Sequence, residues 1–196
     1  MGYSRFMSQL LQWDQSCFDR INSSISLKSL EVLALFVSAS PTWWSAAFLF
    51  LLAALLMKKA SWIKALFIGA IALGISDMTC TYFLKPKLQR LRPCHQNSVS
   101  LRAGSCGSVY GMPSNHASNG AAFLVASAFF LPWKASIGVG ILVFLVGWSR
   151  IYLGVHFPLD VLVGYFVGTL VGILVLLSLK KTVTYFKFKQ SGNATH

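Results

Sequence analysis

The chain has 196 residues, of which 55% are hydrophobic and only 11% are charged, and its mean hydropathy is +0.62. A soluble domain of this length usually contains about a quarter charged residues, so the composition excludes an ordinary soluble protein and predicts one polytopic membrane domain. The net charge is +12, from 17 Lys and Arg against 5 Asp and Glu. Because the cations cluster between apolar runs, they indicate lipid head groups and membrane topology, and we expect no nucleic-acid partner.

An amphipathic helix is predicted at the N-terminus. Apolar side chains recur there at helical spacing, so one face of the helix is expected to lie on the membrane surface. The first 24 residues have no sustained apolar centre, and they therefore differ from a secretory signal. We assign residues 1–28 to an N-terminal interfacial segment. The apolar residues of the predicted face are Phe6, Leu10, Trp13, Cys17 and Ile21.

A series of apolar runs follows, several of them close to the roughly 20 residues that a helix needs to cross a bilayer. They predict an all-α fold, a polytopic membrane bundle of about six transmembrane helices within residues 29–180. The first two runs, 30–39 and 42–57, fit either a short helix followed by a crossing or two crossings. Residues 181–196 form a basic tail that we expect to be cytoplasmic. The four later runs are residues 63–84, 117–131, 135–148 and 159–179.

The distribution of lysine and arginine predicts which helix ends face the cytoplasm. Lys58, Lys59, Lys64, Lys134 and the lysines of the tail fall on one face, which we assign to the cytoplasm. The opposite face holds a polar segment of about thirty residues, 85–116, long enough that a function is expected. Nearly as many cations lie on this outer face, and catalysis or anion binding would explain the excess. They are Lys85, Lys87, Arg90, Arg92, Arg102 and Arg150.

Three polar segments are predicted to converge on the outer face: residues 85–93, 113–116 and 149–160. Successive crossings alternate in direction, which places all three at one membrane surface. Arginine offers a planar fork of donors that matches phosphate oxygens, and lysine adds a point charge. Ser114 is predicted to cap the helix that follows it, so the free backbone N–H groups of that helix would face the same anion.

The third segment also carries His156 and Asp160, four residues apart, with Pro158 suited to a first helical turn between them. A carboxylate beside an imidazole N–H fixes the tautomer and leaves the other ring nitrogen free to attack. His116 comes from another helix and is then available as a proton donor.

Each of these features has a structural alternative when it is taken alone. Basic residues at helix ends often anchor a helix at the interface, and an isolated His116 is more often a capped, solvated side chain. His116, His156 and Asp160 together resemble a set of metal ligands. The neighbouring cations would repel a divalent ion, so we expect neither a metal nor another cofactor. The combination of fixed spacings favours the catalytic interpretation.

The three segments resemble the signature motifs of the type 2 phosphatidic acid phosphatase family. The first is Lys85, six residues, then Arg92-Pro93; the second is residues 113–116, Pro-Ser-Asn-His. The third is Ser149-Arg150, five residues, His156, three residues and Asp160. The resemblance extends from about residue 63 to 179. Asn115 is a departure, because the family often has glycine there, and we expect a geometric or substrate effect from it.

The resemblance implies a mechanism and a set of roles. His156 would be the nucleophile that forms a phosphohistidine, with Asp160 orienting it. His116 would protonate the leaving oxygen and then activate water. The phosphoryl oxygens would be held by Lys85, Arg92, Ser114, Arg150 and the backbone N–H near Asn115. Family members of this size are six-helix membrane enzymes that need no metal.

The sequence therefore predicts an integral membrane phosphatase acting on a lipid phosphate or lipid diphosphate, among membrane lipids. The expected location is a bacterial inner membrane with a periplasmic site. Candidate substrates are undecaprenyl diphosphate, phosphatidylglycerol phosphate, phosphatidic acid and lipid A phosphate, and the sequence does not choose among them. The alternatives are a lipid phosphotransferase with the same site, or an anion-binding transporter or structural protein. The oligomeric state stays open.

Two further features have more than one interpretation. Asp77 lies within a predicted crossing, where an ionisable group is costly and often functional. It either pairs with a cation of the outer segment or makes a hydrogen bond between helices. Cys94 and Cys106 share the outer loop, and the sequence leaves open whether they are bridged or are free thiols; an oxidising compartment would favour the disulfide.

Overall fold

The computed structural model describes residues 2–23, 27–96 and 99–193, and the side chains of residues 5–182 within those ranges. These ranges contain no β-strand apart from an isolated bridge between Leu91 and Tyr110. The all-α prediction is therefore confirmed. The eight α-helices within the described ranges are α1 (Gly2–Asn22), α2 (Lys28–Ser38), α3 (Ser40–Leu56), α4 (Ala60–Met78), α5 (Lys85–Leu88), α6 (Asn115–Ala128), α7 (Trp133–Tyr152) and α8 (Pro158–Asn193).

Among the described residues, three stretches of helix are long and apolar enough to cross a membrane: Ala60–Leu88, Trp133–Tyr152 and Pro158–Thr182. The first joins α4 to α5 through a π-helical segment, Thr79–Leu84. Helices α2 and α3 pass the same test as a pair, bent by 60° at Ala39. The chain is an integral membrane protein with a helical bundle, as predicted. The two early apolar runs are thus the two arms of one bent element.

Helix α6 is shorter than the other membrane helices. Its 14 residues extend about 21 Å at 1.5 Å per residue, less than a bilayer core requires. It nevertheless connects the two ends of the bundle, because α4 leads to one end of it and α7 returns from the other. The expected six or so crossings therefore become three full spans, the bent pair and the short α6.

Close packing between α6 and α8 explains how so short a helix is accommodated. Gly164, Gly168 and Gly172 recur at every fourth residue of α8, on the face toward α6. A Cβ atom at Gly168 would lie 2.0 Å from the Ser118 carbonyl oxygen, so no larger residue fits this spacing. Small residues at such intervals let membrane helices approach backbone to backbone. The facing residues of α6 are also small and buried: Ala117, Ser118, Ala121, Ala122 and Ala126.

The helix predicted over residues 6–21 is present as α1, which packs against α7 and α8 at one end of the bundle. Its buried side chains Asp14, Phe18 and Asn22 follow one another at intervals of four. Asn22 Nδ2 donates to the backbone oxygens of Ser100 and Tyr152, at 2.9 and 3.0 Å. Other apolar side chains of α1, among them Phe6 and Trp13, are exposed. Contact of these residues with a membrane surface stays a prediction.

The outer loop is closed by a disulfide between Cys94 and Cys106, whose Cα atoms are 5.9 Å apart. On either side of it the chain runs antiparallel: the Arg92 N–H donates to Val109 O at 3.2 Å, and the Gly111 N–H donates to Arg90 O at 2.7 Å. These bonds hold the two arginines at the end of the bundle where α6 and α8 begin. At the C-terminus α8 runs continuously to Asn193, so the predicted boundary at residue 181 falls inside a helix.

Candidate active site

A cavity of about 380 Å³ lies at the end of the bundle where α6 and α8 begin. Its walls come from the end of the α4–α5 span, the outer loop, the first turn of α6 and the turn before α8. All three sequence motifs contribute to it. The predicted site residues that line it are Lys85, Arg92, Asn115, His116 and His156.

His156 is buried, 1% exposed, and both of its ring nitrogens have polar neighbours. Nδ1 lies 3.4 Å from Asp160 Oδ2, and Nε2 lies 3.3 Å from Arg92 Nη1. Arginine only donates and an ionised carboxylate only accepts, so the hydrogen is on Nδ1 and the lone pair is on Nε2. Burial, followed by the charges of Arg92 and Arg150, holds the pKa of His156 well below its ordinary value. The arginine contact and the lowered pKa both favour the neutral ring, whose Nε2 lone pair accepts from Arg92 on the cavity side.

Asp160 is fully buried, and both of its oxygens are bonded. Oδ2 accepts the Phe157 N–H at 3.0 Å, and Oδ1 accepts from Arg90 Nη1 at 3.0 Å. Phe157 directly precedes α8 and Asp160 is its third residue, so the carboxylate reaches back to the start of its own helix as in a capping box. The backbone leaves no room beside it, because a Cβ atom at Gly111 would lie 2.8 Å from Oδ2. The local sequence thus fixes the carboxylate behind the histidine.

Lys85 and Arg92 bring positive charge into a largely buried site, with 9% and 7% of their surfaces exposed. Arg92 Nη2 donates to Ser108 Oγ at 3.0 Å, while its Nε has no hydrogen-bond partner among the described residues. Burial lowers the pKa of Arg92, and the carboxylate of Asp160 opposes that effect. An unpaired buried donor costs about 1–3 kcal/mol, a cost that a bound group with acceptor oxygens would remove at Arg92 Nε.

Ser114 occupies the residue before α6, as predicted, but its side chain makes no capping bond within the described structure. The hydroxyl is buried without a hydrogen-bond partner among the described residues. Its backbone instead fixes α6 to α8, because the Ser114 N–H donates to Asp160 O at 2.9 Å. The expected cap is therefore replaced by a contact between two helix starts.

Arg150 is not among the residues that line the cavity of His156. One of its Nη atoms donates to Ser38 Oγ at the break between α2 and α3. Its side chain lines a second cavity, of about 350 Å³, between α2 and the outer loop. Packing of α2 against α7 places the Ser38 hydroxyl within reach, which the sequence motif alone does not reveal. The charge of Arg150 still acts on His156, whose pKa it lowers.

Asn115 connects the cavity wall to Asp77 of α4. Asn115 Nδ2 donates to Asp77 Oδ1 at 2.7 Å and to Thr81 Oγ1 at 2.8 Å. Asn119 Nδ2, one turn later, donates to the same Asp77 oxygen at 2.8 Å. Of the two interpretations of Asp77, the hydrogen bond between helices is confirmed. The side chain that departs from the family pattern therefore ties the first turn of α6 to α4.

Sequence reasoning missed the contribution of two residues to this site. The sequence places Arg90 among six cations of the outer face without a role of its own, and it predicts no role for Asp14. The structure places Arg90 between Asp14 and Asp160, within salt-bridge distance of both carboxylates. Apolar spacing gave no signal for Asp14, because the face that it predicts does not contain Asp14, Phe18 or Asn22, which are the side chains of α1 that are buried.

The described residues contain no group of three or more His, Cys, Asp or Glu side chains placed to hold a metal ion. His156 and Asp160 face each other and the two arginines, at the distances given above. The freedom of the site from metal thus remains a prediction for experiment.

The chain is similar to known proteins in sequence and in fold. Residues 65–183 match the PAP2 superfamily model. The lipid A 4'-phosphatase of Porphyromonas gingivalis is 33% identical over 175 residues, 85% of this chain and 72% of that protein. The lipid A 4'-phosphatase of Bacteroides thetaiotaomicron is 36% identical over 124 residues, 58% of this chain and 55% of that protein.

A solved structure, Aquifex aeolicus LpxE, has a similar fold, with a TM-score of 0.63 at 22% sequence identity over 83% of this chain and 93% of that one. The matched family region contains all three motifs, from Lys85 to Asp160. On this evidence, and as the resemblance of its motifs predicted, the chain belongs to the PAP2 superfamily.

Proposed function

We propose that the protein is a membrane phosphatase that hydrolyses a lipid phosphate through a phosphohistidine on His156. The observation that carries the proposal is the setting of that ring. Asp160 lies at Nδ1, Arg92 lies at Nε2, and the neutral ring faces a cavity with buried cationic donors. A nucleophile held by a carboxylate beside an anion site is the arrangement that phosphoryl transfer requires.

In the first step the Nε2 lone pair attacks phosphorus, and the bond from phosphorus to the lipid oxygen breaks. His116, which lines the same cavity, donates a proton to that oxygen so that it leaves as an alcohol. Positive charge develops on the imidazole, and Asp160 accepts the hydrogen bond from Nδ1–H and stabilises it. Lys85 and Arg92 hold the phosphoryl oxygens, whose charge spreads in the transition state.

In the second step a water molecule attacks phosphorus and the phosphorus–nitrogen bond breaks, which restores neutral His156. His116 accepts the proton of the water, so it returns to the protonated form that starts the next cycle. Inorganic phosphate leaves. General acid–base help of this kind contributes about a hundred- to ten-thousand-fold. In this scheme Arg150 and Ser114 complete the phosphate site, Arg150 by turning from Ser38 toward the cavity.

Lipid A phosphate is the substrate that we place first. Both curated relatives described above are lipid A 4'-phosphatases, and one of them covers most of this chain. Phosphatidylglycerol phosphate, phosphatidic acid and undecaprenyl diphosphate are the alternatives, since the cavity recognises the phosphate that all four share. A phosphotransferase with the same covalent intermediate is the second candidate function.

The proposed location is a bacterial inner membrane with the site on the periplasmic face. The disulfide Cys94–Cys106 lies at the same end of the bundle as the cavity, and disulfides persist in oxidising compartments. The lysines at the opposite end support the same orientation under the positive-inside rule.

The test is phosphate release by purified protein from each of the four lipids, with EDTA present. We expect release from lipid A phosphate to be fastest, and His156→Ala to abolish release from all four. Turnover that requires an added lipid alcohol would identify a phosphotransferase. Absence of release from every lipid, with the protein folded, would favour the non-catalytic alternative, and activity lost in EDTA and restored by a divalent ion would contradict the metal-free site.

A further inference from the structure

Asp14 lies far from the three motifs in sequence, yet it is part of the same cluster of charges. It is on α1, the amphipathic N-terminal helix, and none of its surface is exposed. Its Oδ1 accepts the backbone N–H of Leu159 at 2.8 Å, and its Oδ2 accepts from Arg90 Nη2. Leu159 directly precedes Asp160, so Asp14 holds the backbone beside the proposed orienting carboxylate.

Arg90 connects the two carboxylates. Its Nη1 donates to Asp160 Oδ1 at 3.0 Å while its Nη2 donates to Asp14. The guanidinium carbon of Arg90 also lies 4.4 Å from the centre of the Phe157 ring. This aromatic contact adds to the two carboxylate contacts in fixing the position of the guanidinium. Phe157 itself packs on Phe18 of α1, with 5.1 Å between ring centres. Helix α1 therefore helps to position Arg90 in two ways: Asp14 binds it directly, and Phe18 supports the Phe157 ring beside it.

The charge of Asp14 affects how strongly Asp160 can bind His156. With Asp14 in place, one guanidinium is shared between two buried anions, and Asp160 remains available as an acceptor for His156 Nδ1–H. Without the charge of Asp14, Arg90 would be drawn to Asp160 alone. Asp160 would then bind the imidazole N–H less strongly and stabilise the charge on His156 less in the transition state.

We propose that Asp14 is a positioning residue for this reaction: through Arg90 and the Leu159 N–H it sets the carboxylate of Asp160 against His156. The N-terminal helix is then part of the catalytic apparatus in addition to its expected contact with the membrane. The proposal rests on the proposed function, because it assigns Asp14 a role in the chemistry of His156. Loss of such an aligning contact costs roughly tenfold to a hundredfold in rate, since small displacements of reacting groups have effects of this size.

The test compares Asp14→Asn with Asp19→Asn in the purified full-length protein. Asparagine keeps the shape and still accepts from Leu159 N–H, but it removes the charge. Asp19 lies on the exposed side of the same helix, where Gln15 Nε2 donates to it at 3.0 Å, so it is the matched control. For Asp14→Asn we expect kcat to fall about ten- to a hundredfold on both a lipid phosphate and soluble p-nitrophenyl phosphate, with KM nearly unchanged. Asp19→Asn should keep wild-type values.

Two results would overturn the proposal. One is wild-type kcat for Asp14→Asn on both substrates. The other is a rise in KM on the lipid alone, which would assign Asp14 to membrane or lipid binding. Wild-type turnover is measured in the same assay, so its absence would refute the proposed function and not the positioning role.

A second variant covers the case in which Asp14→Asn does not fold. Arg90→Lys keeps the positive charge, but one ammonium group cannot bridge both carboxylates with the geometry of a guanidinium. We expect the same fall in kcat and, where both variants fold, a double variant that loses little more than either single one. Wild-type kcat for Arg90→Lys, or fully additive losses in the double variant, would contradict the role of the bridge.

Discussion

The guanidinium of Arg92 lies 3.3 Å from Nε2 of His156, on the side of the ring opposite the carboxylate. The nitrogen proposed to attack phosphorus is therefore placed beside the cation proposed to bind the phosphoryl oxygens. Nucleophile and anion site share one wall of the cavity, which shortens the motion that the reaction requires.

The two histidines should respond differently to substitution. His156→Ala should abolish turnover of every substrate, because no covalent intermediate can form. His116→Ala should lose about a hundred- to ten-thousand-fold on a lipid substrate with a poor alkoxide leaving group. It should lose less on p-nitrophenyl phosphate, whose leaving group needs little protonation. The measurement is the burst of leaving group followed by steady-state release.

Asp160→Asn serves as the graded control for this comparison, with activity between wild type and His156→Ala. It disturbs the tautomer and orientation of the ring but leaves the nucleophile in place. Phosphate trapped on a residue other than His156 would falsify the assignment.

The pH dependence of kcat/KM should report the lowered pKa of His156. Burial, then Arg92 and Arg150, keep this pKa well below its ordinary value, which is about 6.5. The neutral ring is the reactive form, so activity should persist below that pH and be lost only at more acid pH. Arg92→Gln removes the strongest of the nearby cations, so it should raise the pKa of His156 and move the acid limb to higher pH.

Arg92→Lys is the control, because it retains a positive charge and should move the limb less than Arg92→Gln does. The kcat/KM of each variant is divided by that of wild type at every pH. This ratio cancels the effect of the ionisation of the substrate phosphate, which is the same for both proteins. A ratio of Arg92→Gln to wild-type kcat/KM that stays constant with pH would show that another group sets the acid limb.

Two predictions follow from the disulfide: the side of the membrane on which the outer loop lies, and the effect on activity of breaking the disulfide. In a Cys17→Ser/Cys80→Ser background, Cys94 and Cys106 should react with a membrane-impermeant thiol reagent from outside, and only after reduction. Reduction, or Cys106→Ser, should lower activity by freeing the loop that holds Arg92. Labelling that requires the inner face to be opened would invert the proposed orientation.

Gly168→Ala should destabilise the bundle, because its Cβ would lie 2.0 Å from the Ser118 carbonyl oxygen. Overpacking of this kind typically costs about 1–3 kcal/mol, so the thermal unfolding midpoint in detergent should fall. Gly138→Ala on α7 is the matched control, because no described atom lies within 4 Å of the added Cβ apart from its chain neighbours and the backbone of its own helix. Equal midpoints for the two variants would contradict the close contact between α6 and α8.

The sequence by itself determined the membrane class, the helical fold and the motif residues. These features are local: apolar runs must satisfy their backbone within the helix, and His156 and Asp160 lie only four residues apart, on either side of the start of α8. The helix over residues 6–21 could be predicted for the same reason. Which of its side chains are buried could not, because Asp14, Phe18 and Asn22 lie outside the face that apolar spacing predicts.

Only the tertiary structure decided the partners of the charged residues. Asp14 meets Leu159 across 145 residues of chain, and Arg150 meets Ser38 across 112. Arg90 and Arg92 both lie in the first motif, yet one bridges two carboxylates and the other faces the cavity. The physical reason is that a buried charge takes the partner that packing brings within hydrogen-bond reach. Packing depends on which helices meet, here on the glycines that bring α8 close to α6.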